Sequence, residues 1–571
     1  MNEPVTPETV APAPAFPFLQ SAKVQIAIEL FLSISTGLLY ALCFPSRGVP
    51  EAAYVFALPL LCFFMLRPES WKPRMWTVLP GGFIGWVCLI FWLRHVTWMG
   101  MLGLSLVLSV FWAVWFCAAA KVIDAYRNKM PLVRISANLG LAGLWVLLEW
   151  LRSWVFTGFP WLPLAASQWE RSALLQIIAY TGAWGLSFML IFFNLGISYY
   201  IKHLFTPKRR KAWYQKLNPD FYAAMGLLFL TFCFMFEPGF FHKRNRREIM
   251  FTAAAVQPAT EAMIKWNPEF SWQVKEDLER YTTLAAKFDP DVILWPEAAT
   301  PWPILGMKEP NEWITGFSHD LGIPLMMGSI AVEGDVFDKT APWYNMLTVV
   351  DPKTGIAPYY GKRHLVPFGE YVPFQRWLPF IKKVVPIGEY VAASRNTIVP
   401  LRIGFKEYKV GGLVCYEDVF PQLARENVLN GADFHYVVTN GIWYGEEGMN
   451  LQHMAHSVLR AVETRRPVVR CGNNGWSGWI DEYGNVCYEL IDADGSTDFS
   501  GLDTFEVQRD PLWSGKLSLY ARNGDWFVLF SFGIMLFSGF MLRYIPDERE
   551  EIKLSGREKA RRILANKKIG R

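Results

Sequence analysis

The 571-residue chain has no Cys-x-x-Cys pair among its eight cysteines, at 43, 62, 88, 117, 233, 415, 471 and 487, and no metal-ligand spacing elsewhere. That argues against a zinc ribbon or a dithiol redox centre. It also has no internal repeat and no nucleic-acid-binding motif, and its net charge of +5 is mild. A solenoid and a nucleic-acid binder are therefore both disfavoured. No basic residue precedes Lys23, so a cleaved signal peptide is not expected and the first apolar run reads as an uncleaved anchor. Cys471 and Cys487 read as free thiols, with a disulfide between them left open as the alternative.

Apolar residues are abundant instead: 52% of the chain, with 16% aromatic and 26 tryptophans, a composition of membrane proteins with interfacial anchors. A span needs about 20 apolar residues. Candidates are 24–44, 51–66, 76–97, 101–120, 135–156, 174–201 and 221–241, with an eighth from Trp526. The loops after spans two, four and six, 67–74, 121–134 and 202–216, are rich in Lys and Arg, which places them in the cytoplasm. The basic run 242–248 conflicts with this orientation but leads into a large translocated segment, where the rule weighs less. The expected organisation is a disordered 1–23, transmembrane helices one to seven over 24–241, a folded domain over 248–510, an eighth helix over 525–545 and a basic cytoplasmic tail over 546–571.

The 248–510 segment alternates short β-rich runs with amphipathic stretches. Strand candidates are EIMFTAAAVQ, DVILWPE, PLMMGSIAV, NMLTVVD, KVGGLVCYE, FHYVVTN and PVVRCGNN, and helix candidates are 271–288, 420–430 and 449–464. This pattern predicts an α/β domain with sheets covered by helices. Three of its segments set a reactive residue against a strand: ILWPEAATPWP around Glu297, YYGKRHLVPFGEYVP around Lys362 and VGGLVCYEDVFP around Cys415. A thiol attacks only as thiolate, so it needs a base and a cation nearby. Glu297 can supply the base, and Lys362 can stabilise both thiolate and oxyanion.

Glu, Lys and Cys in this order and context resemble the nitrilase, or carbon–nitrogen hydrolase, superfamily. HLVPFGEYVP (364–373), NGIWYG (440–445) and FTGFPWL (156–162) look like its membrane-bound branch, the apolipoprotein N-acyltransferases. The resemblance implies a membrane bundle of about eight helices with an αββα sandwich before the last one. It implies a bacterial inner-membrane enzyme with a periplasmic catalytic domain and a Glu297–Lys362–Cys415 triad. A fatty acyl group would pass in ping-pong fashion from a phospholipid, mainly phosphatidylethanolamine, through a Cys415 thioester to the N-terminal amine of a diacylglyceryl-cysteine lipoprotein, with no cofactor and no metal. It further implies that Glu370 tunes the lysine, that the Tyr416 N–H joins the oxyanion hole and that Glu417 positions the site. Trp266 would line the acyl route, and Asn440, Trp443 and Tyr444 would shape the pocket. Gly441, Ile442 and Tyr444 depart from the family's usual residues and leave the pocket's shape open.

Glu149 and Arg152 stand three apart within a span, where charge is costly and points to function. A structural pair and a lipid-headgroup contact are both open. His453 and His456 sit on a helix without a third ligand and read as helix surface. The rival readings of the chain are a membrane-tethered amidase or hydrolase using the same triad, an acyltransferase to another acceptor, and a non-catalytic scaffold.

Overall fold

The computed structural model describes residues 21–46, 48–67, 72–205, 218–236, 247–265, 267–338, 340–372, 390–445 and 448–547. Residues 1–20 of the expected disordered segment, and all but the first two of the expected tail, lie outside this set.

The first half is helical: α1 (Ala22–Leu42), α2 (Leu58–Leu66), α3 (Met75–Leu89), α4 (Trp98–Tyr126), α5 (Pro131–Arg152), the short α6 (Ser172–Leu175) and α7 (Ile178–Thr181), α8 (Ala183–Phe205) and α9 (Pro219–Cys233). Among the described residues, six helices are long and apolar enough to cross a membrane: α1, α4, α5, α8, α9 with its short extension, and the C-terminal Trp526–Tyr544. The second and third expected spans appear as the shorter apolar helices α2 and α3. The sixth, expected to be continuous over 174–201, is broken. Gly182, between α7 and α8, takes φ +67, a left-handed conformation that favours glycine and ends the turn.

Small residues let these helices touch. A Cβ on Gly37 of α1 would lie 1.9 Å from the Gly81 oxygen of α3, and one on Gly81 would lie 2.1 Å from the Ser33 oxygen. Close backbone approach of this kind replaces the hydrophobic drive that lipid removes. Ser33 Oγ donates to the Val78 carbonyl at 2.8 Å, and buried Glu29 of α1 accepts from Thr77 Oγ1 at 2.7 Å and from the Arg74 N–H at 3.2 Å. Glu29 thereby serves the start of α3, whose first N–H groups have no partner within the helix. At the same end of the bundle, Arg67 pairs with Asp124 at 2.8 Å, Arg134 with Asp220 at 2.9 Å and Lys129 with Asp547 at 3.1 Å.

The second half holds two sheets. One runs β13-β1-β2-β3-β4-β5, with β6 also on β4, and the other runs β12-β11-β10-β9-β8-β7. Their strands are β1 (Glu248–Gln257), β2 (Val292–Trp295), β3 (Leu325–Val332), β4 (Trp343–Asp351), β5 (Gly355–Ile356), β6 (Tyr360–Gly361), β7 (Ile398–Ile403), β8 (Lys406–Val414), β9 (Phe434–Thr439), β10 (Val468–Gly472), β11 (Gly478–Ile480), β12 (Val486–Glu489) and β13 (Gly501–Arg509). Alternation along β1 sends Ala253 and Ala255 between the sheets, against Val410, Phe434 and Val438, and sends Ala254 and Val256 outward. The outward set packs on α10 (Ser271–Ala286) and α11 (Lys308–Leu321) through Val274, Leu278 and Ile314. The second sheet carries α12 (Pro421–Leu429) and α13 (Met449–Thr464), and α14 (Trp526–Tyr544) returns to the bundle against α5. These layers form the αββα sandwich. Strands β5–β7 and β11–β13 and helix α11 were not among the elements expected from sequence. Cys471 and Cys487 are both free, the first buried and the second exposed.

Helix α13 joins the two halves. Fourteen of its sixteen residues are buried, because one face lies on the sheet and the other on the bundle. Its Gln452 accepts from the Trp92 and Trp161 indoles at 3.1 and 2.9 Å and donates to the Leu89 carbonyl at 3.0 Å. His456 Nε2 accepts from the Leu162 N–H at 3.1 Å, and Glu463 accepts from the Ala183 N–H at 3.0 Å.

The helix contacts are testable. Gly81→Val forces a branched side chain into the α1 backbone, and overpacking of this sort costs about 1–3 kcal/mol. Thermal unfolding in detergent should show a lower midpoint for Gly81→Val and no change for Gly103→Ala, where nothing lies within 4 Å of the added Cβ.

Candidate active site

Glu297 follows β2 in a turn that leaves no room. A Cβ on Gly328 of the neighbouring β3 would lie 2.8 Å from Glu297 Cα, and Ala298 takes φ +44. The buried Lys265 ammonium donates to the Glu297 carbonyl at 3.1 Å, and burial brings its pKa down to about 8. Lys362 follows β6, and its N–H donates to the Asn345 carbonyl of β4 at 2.8 Å. The Lys362 Nζ lies 2.8 Å from Glu370 Oε1 and 3.7 Å from Glu297 Oε1, and the lysine is 1% exposed. Asn345 Nδ2 spans the two carboxylates, donating to Glu297 at 2.8 Å and to Glu370 at 3.1 Å. Burial alone would lower the Lys362 pKa. Glu370 first and Glu297 second outweigh it and raise the pKa, so the side chain stays an ammonium.

Cys415 ends β8. It takes φ +53 and opens a short 3₁₀ turn to Val419. Left-handed backbone at a residue with a Cβ stores about 1–3 kcal/mol and tends to occur at functional sites. The charges of Glu297, Lys362 and Glu370 act on the sulfur. Burial, then Glu297, pushes the thiol pKa up, while Lys362 and the Asn440 N–H pull it down. The net shift is upward, so the resting group is a thiol, and its attack requires a base to take the proton in the same step.

The two acids that follow Cys415, Glu417 and Asp418, do different work. Glu417, fully buried, accepts from the N–H groups of Arg363 (2.7 Å), Val414 (2.8 Å) and His364 (3.0 Å) and from the Tyr360 hydroxyl (3.0 Å). It bolts the segment carrying Lys362 to the turn carrying Cys415. Asp418 accepts from Ser457 Oγ at 2.6 Å and Arg470 at 2.8 Å, and its Oδ1 lies 2.6 Å from His453 Nε2. His453 and His456 are 2% and 0% exposed, which corrects the surface reading. Their helix face meets the bundle and the turn that carries Cys415, not water.

The remaining expected residues divide. Tyr416 stacks on Phe159 and Trp161, and its hydroxyl donates to the Gly158 carbonyl at 3.3 Å, so the 156–162 loop lies over the site. Tyr444 is in electrostatic contact with Cys415 and packs edge-on against Trp92 at 5.0 Å. Asn440 Oδ1 accepts from Asn473 at 3.1 Å, and Trp443 is half exposed beside them. Trp266 lies outside the described residues. Glu149 and Arg152 are buried in the bundle and line a narrow cleft with Tyr40, Trp86, Trp112 and Trp145. Glu149 accepts from the Trp145 indole and the Leu164 N–H, both at 2.8 Å, and the Arg152 guanidinium sits 4.9 Å above the Trp86 ring. Sequence reasoning missed Lys265, Asn345, Asp418 and Arg470. Only Asn345 left a signal, as a carboxamide opening the otherwise apolar run NMLTVV.

Glu417→Gln turns an amide donor toward three backbone N–H donors. An unmet buried group costs about 1–3 kcal/mol. The variant should therefore lose most Cys415 reactivity toward an acyl ester, measured as protein mass gain, at an unfolding midpoint still above assay temperature.

Comparison with known proteins gives the family of the chain. An amidase from Nesterenkonia sp. superposes at a TM-score of 0.35 and 16% identity, covering 50% of this chain and 97% of its own. The model of the apolipoprotein N-acyltransferase N-terminal domain matches residues 36–196, and that of the carbon–nitrogen hydrolases matches 252–499. The apolipoprotein N-acyltransferase of Geobacter metallireducens is 28% identical over 470 residues, 80% of this chain and 86% of that one. Its counterpart in Shewanella oneidensis is 30% identical over 421 residues, 70% and 73% respectively. The chain is thus an enzyme of the carbon–nitrogen hydrolase superfamily and belongs to the apolipoprotein N-acyltransferase family.

Proposed function

We propose that the chain transfers a fatty acyl group from a phospholipid to the N-terminal amine of a diacylglyceryl-cysteine lipoprotein, with Cys415 as nucleophile, Glu297 as base and Lys362 as oxyanion cation. The carrying observation is the buried ammonium between two carboxylates, in electrostatic contact with a thiol on a strained turn. Glu297 takes the thiol proton as sulfur attacks the ester carbonyl. Lys362 and the Tyr416 N–H stabilise the oxyanion. The carbon–oxygen bond breaks, Glu297 returns the proton to the leaving alkoxide, and a lysophospholipid departs. The lipoprotein amine then attacks the thioester. Its proton passes through Glu297 to the leaving sulfur, and an amide is released. Glu370 and Asn345 hold Lys362 and Glu297 in register.

Phosphatidylethanolamine is the proposed main donor, and the bacterial inner membrane, with the catalytic domain on its periplasmic side, the proposed location. The bundle supports a membrane-embedded substrate over a small soluble amide. The 156–162 loop runs from the end of α5 to the face of Tyr416, so the site borders the region where an acyl chain would lie.

Two measurements test this. Incubating the enzyme with labelled phospholipid should add one acyl mass to Cys415. The adduct should persist until a lipopeptide amine is supplied and be absent in Cys415→Ala; free fatty acid with no adduct would favour the hydrolase. Because the thiol pKa is raised, iodoacetamide alkylation at pH 7 should depend on Glu297. In Glu297→Gln it should fall at least about tenfold. It should then climb about tenfold per pH unit toward pH 10 as thiolate forms without the base, with Lys362 still charged because its pKa is raised too.

A further inference from the structure

We propose that His453 is a positioning residue that aims the oxyanion-stabilising N–H of Tyr416. The proposal rests on the reading above, in which that N–H and Lys362 receive the oxyanion. The Cys415 carbonyl and the Tyr416 N–H belong to one peptide unit. That unit is planar and trans, so the direction of one end dictates the direction of the other. His453 Nε2 lies 3.1 Å from the Cys415 carbonyl oxygen in hydrogen-bonding geometry. Asp418 Oδ1 lies closer to the same nitrogen, at 2.6 Å. Facing these two oxygen acceptors, Nε2 carries the proton and shares it between the carboxylate and the carbonyl.

The turn needs such a hold. Cys415 takes φ +53, and Tyr416 follows it at the start of a 3₁₀ turn, where the N–H has no partner within the helix. A flip of this peptide would point the N–H away from the reacting carbonyl and present an oxygen in its place. The donor also polarises the amide and strengthens its N–H.

His453 is itself immobilised. It is 2% exposed, tilted against the Trp161 ring at 5.6 Å, and set beside an Asp418 held by Ser457 and Arg470. Its neighbours on α13, Gln452 and His456, bind the bundle at Trp92, Trp161 and Leu162. The aim of the oxyanion N–H is thereby referenced to the membrane part.

The test separates oxyanion chemistry from general damage. Acyl transfer to Cys415 passes through an oxyanion, whereas alkylation by iodoacetamide does not. Full-length enzyme in detergent is treated with p-nitrophenyl butyrate, phospholipid or iodoacetamide. His453→Phe and His453→Asn, whose amide falls short of the carbonyl, should slow acylation by both esters about tenfold to a hundredfold, less than the roughly hundredfold to thousandfold for removing an oxyanion donor outright, because the N–H is misaimed and not lost. Alkylation should stay within about twofold of wild type. His453→Gln, whose amide nitrogen can take the place of Nε2, should recover most of the rate. Unchanged acylation, or alkylation falling in parallel with it, overturns the proposal. Should His453→Phe fail to fold, the Asn and Gln variants carry the same comparison. Wild-type enzyme that is acylated by the nitrophenyl ester but not by phospholipid would defeat the donor assignment while leaving the role of His453 measurable.

Discussion

A buried ammonium must be neutralised where it stands, and Lys362 sets that demand at the edge of the sandwich. Removing a lone cation from water is far more expensive than any single contact can repay. Here the lysine lies 2.8 Å from Glu370 and 3.7 Å from Glu297. Asn345 keeps the two acids apart by giving each a hydrogen. Burial first and the Glu297 charge second help keep the Cys415 sulfur protonated at rest.

The requirement spreads outward. Four strands or strand ends deliver the cluster: Glu297 after β2, Asn345 on β4, Lys362 after β6 and Cys415 after β8. The first three belong to one sheet and the fourth to the other, so the cluster exists only when the sheets are stacked in register. Glu417 enforces this by accepting from backbone on both sides. A carboxylate reads the position of an N–H more sharply than an apolar contact reads a surface, because hydrogen bonds weaken steeply with angle and distance. The apolar layer between the sheets supplies the drive to stack, and Glu417 selects the one alignment in which the site is complete.

Much of this was legible in the residues. The β-rich runs predicted β1 to β4 and β8 to β10 because buried strands concentrate Val, Ile and aromatics between turn residues. Glu297 and Cys415 stood out because each followed such a run, and Lys362 because of its setting in YYGKRHLVPFGEYVP. The polar face of α13 was not legible. A helix with His, Gln, Arg and Glu on one side is normally read as facing water, and nothing in a single chain says that a second domain will cover that side. Covered, the same residues become hydrogen-bond partners for indoles and backbone of the bundle. The break at Gly182 was hidden for a related reason: hydropathy registers apolar length, and a left-handed glycine does not interrupt it. Lys265 and Arg470 are ordinary charged residues by sequence. Their importance comes only from tertiary burial beside the Glu297 carbonyl and Asp418.

The joining of the halves bears on the choice between transfer and hydrolysis. A soluble member of the superfamily meets its substrate and water through the same opening. In this chain the aromatic loop 156–162 covers the nucleophile turn, with Phe159 and Trp161 stacked on Tyr416 and Trp92 packed on Tyr444. Rings over a reactive sulfur exclude water and admit an alkyl chain, since both are apolar. On the proposed reading, a thioester formed beneath that cover outlasts the departure of the first product, because the competing nucleophile is water and water is what the cover removes. Fixing α13 to Trp92, Trp161 and Leu162 ties the cover to the turn that carries Cys415.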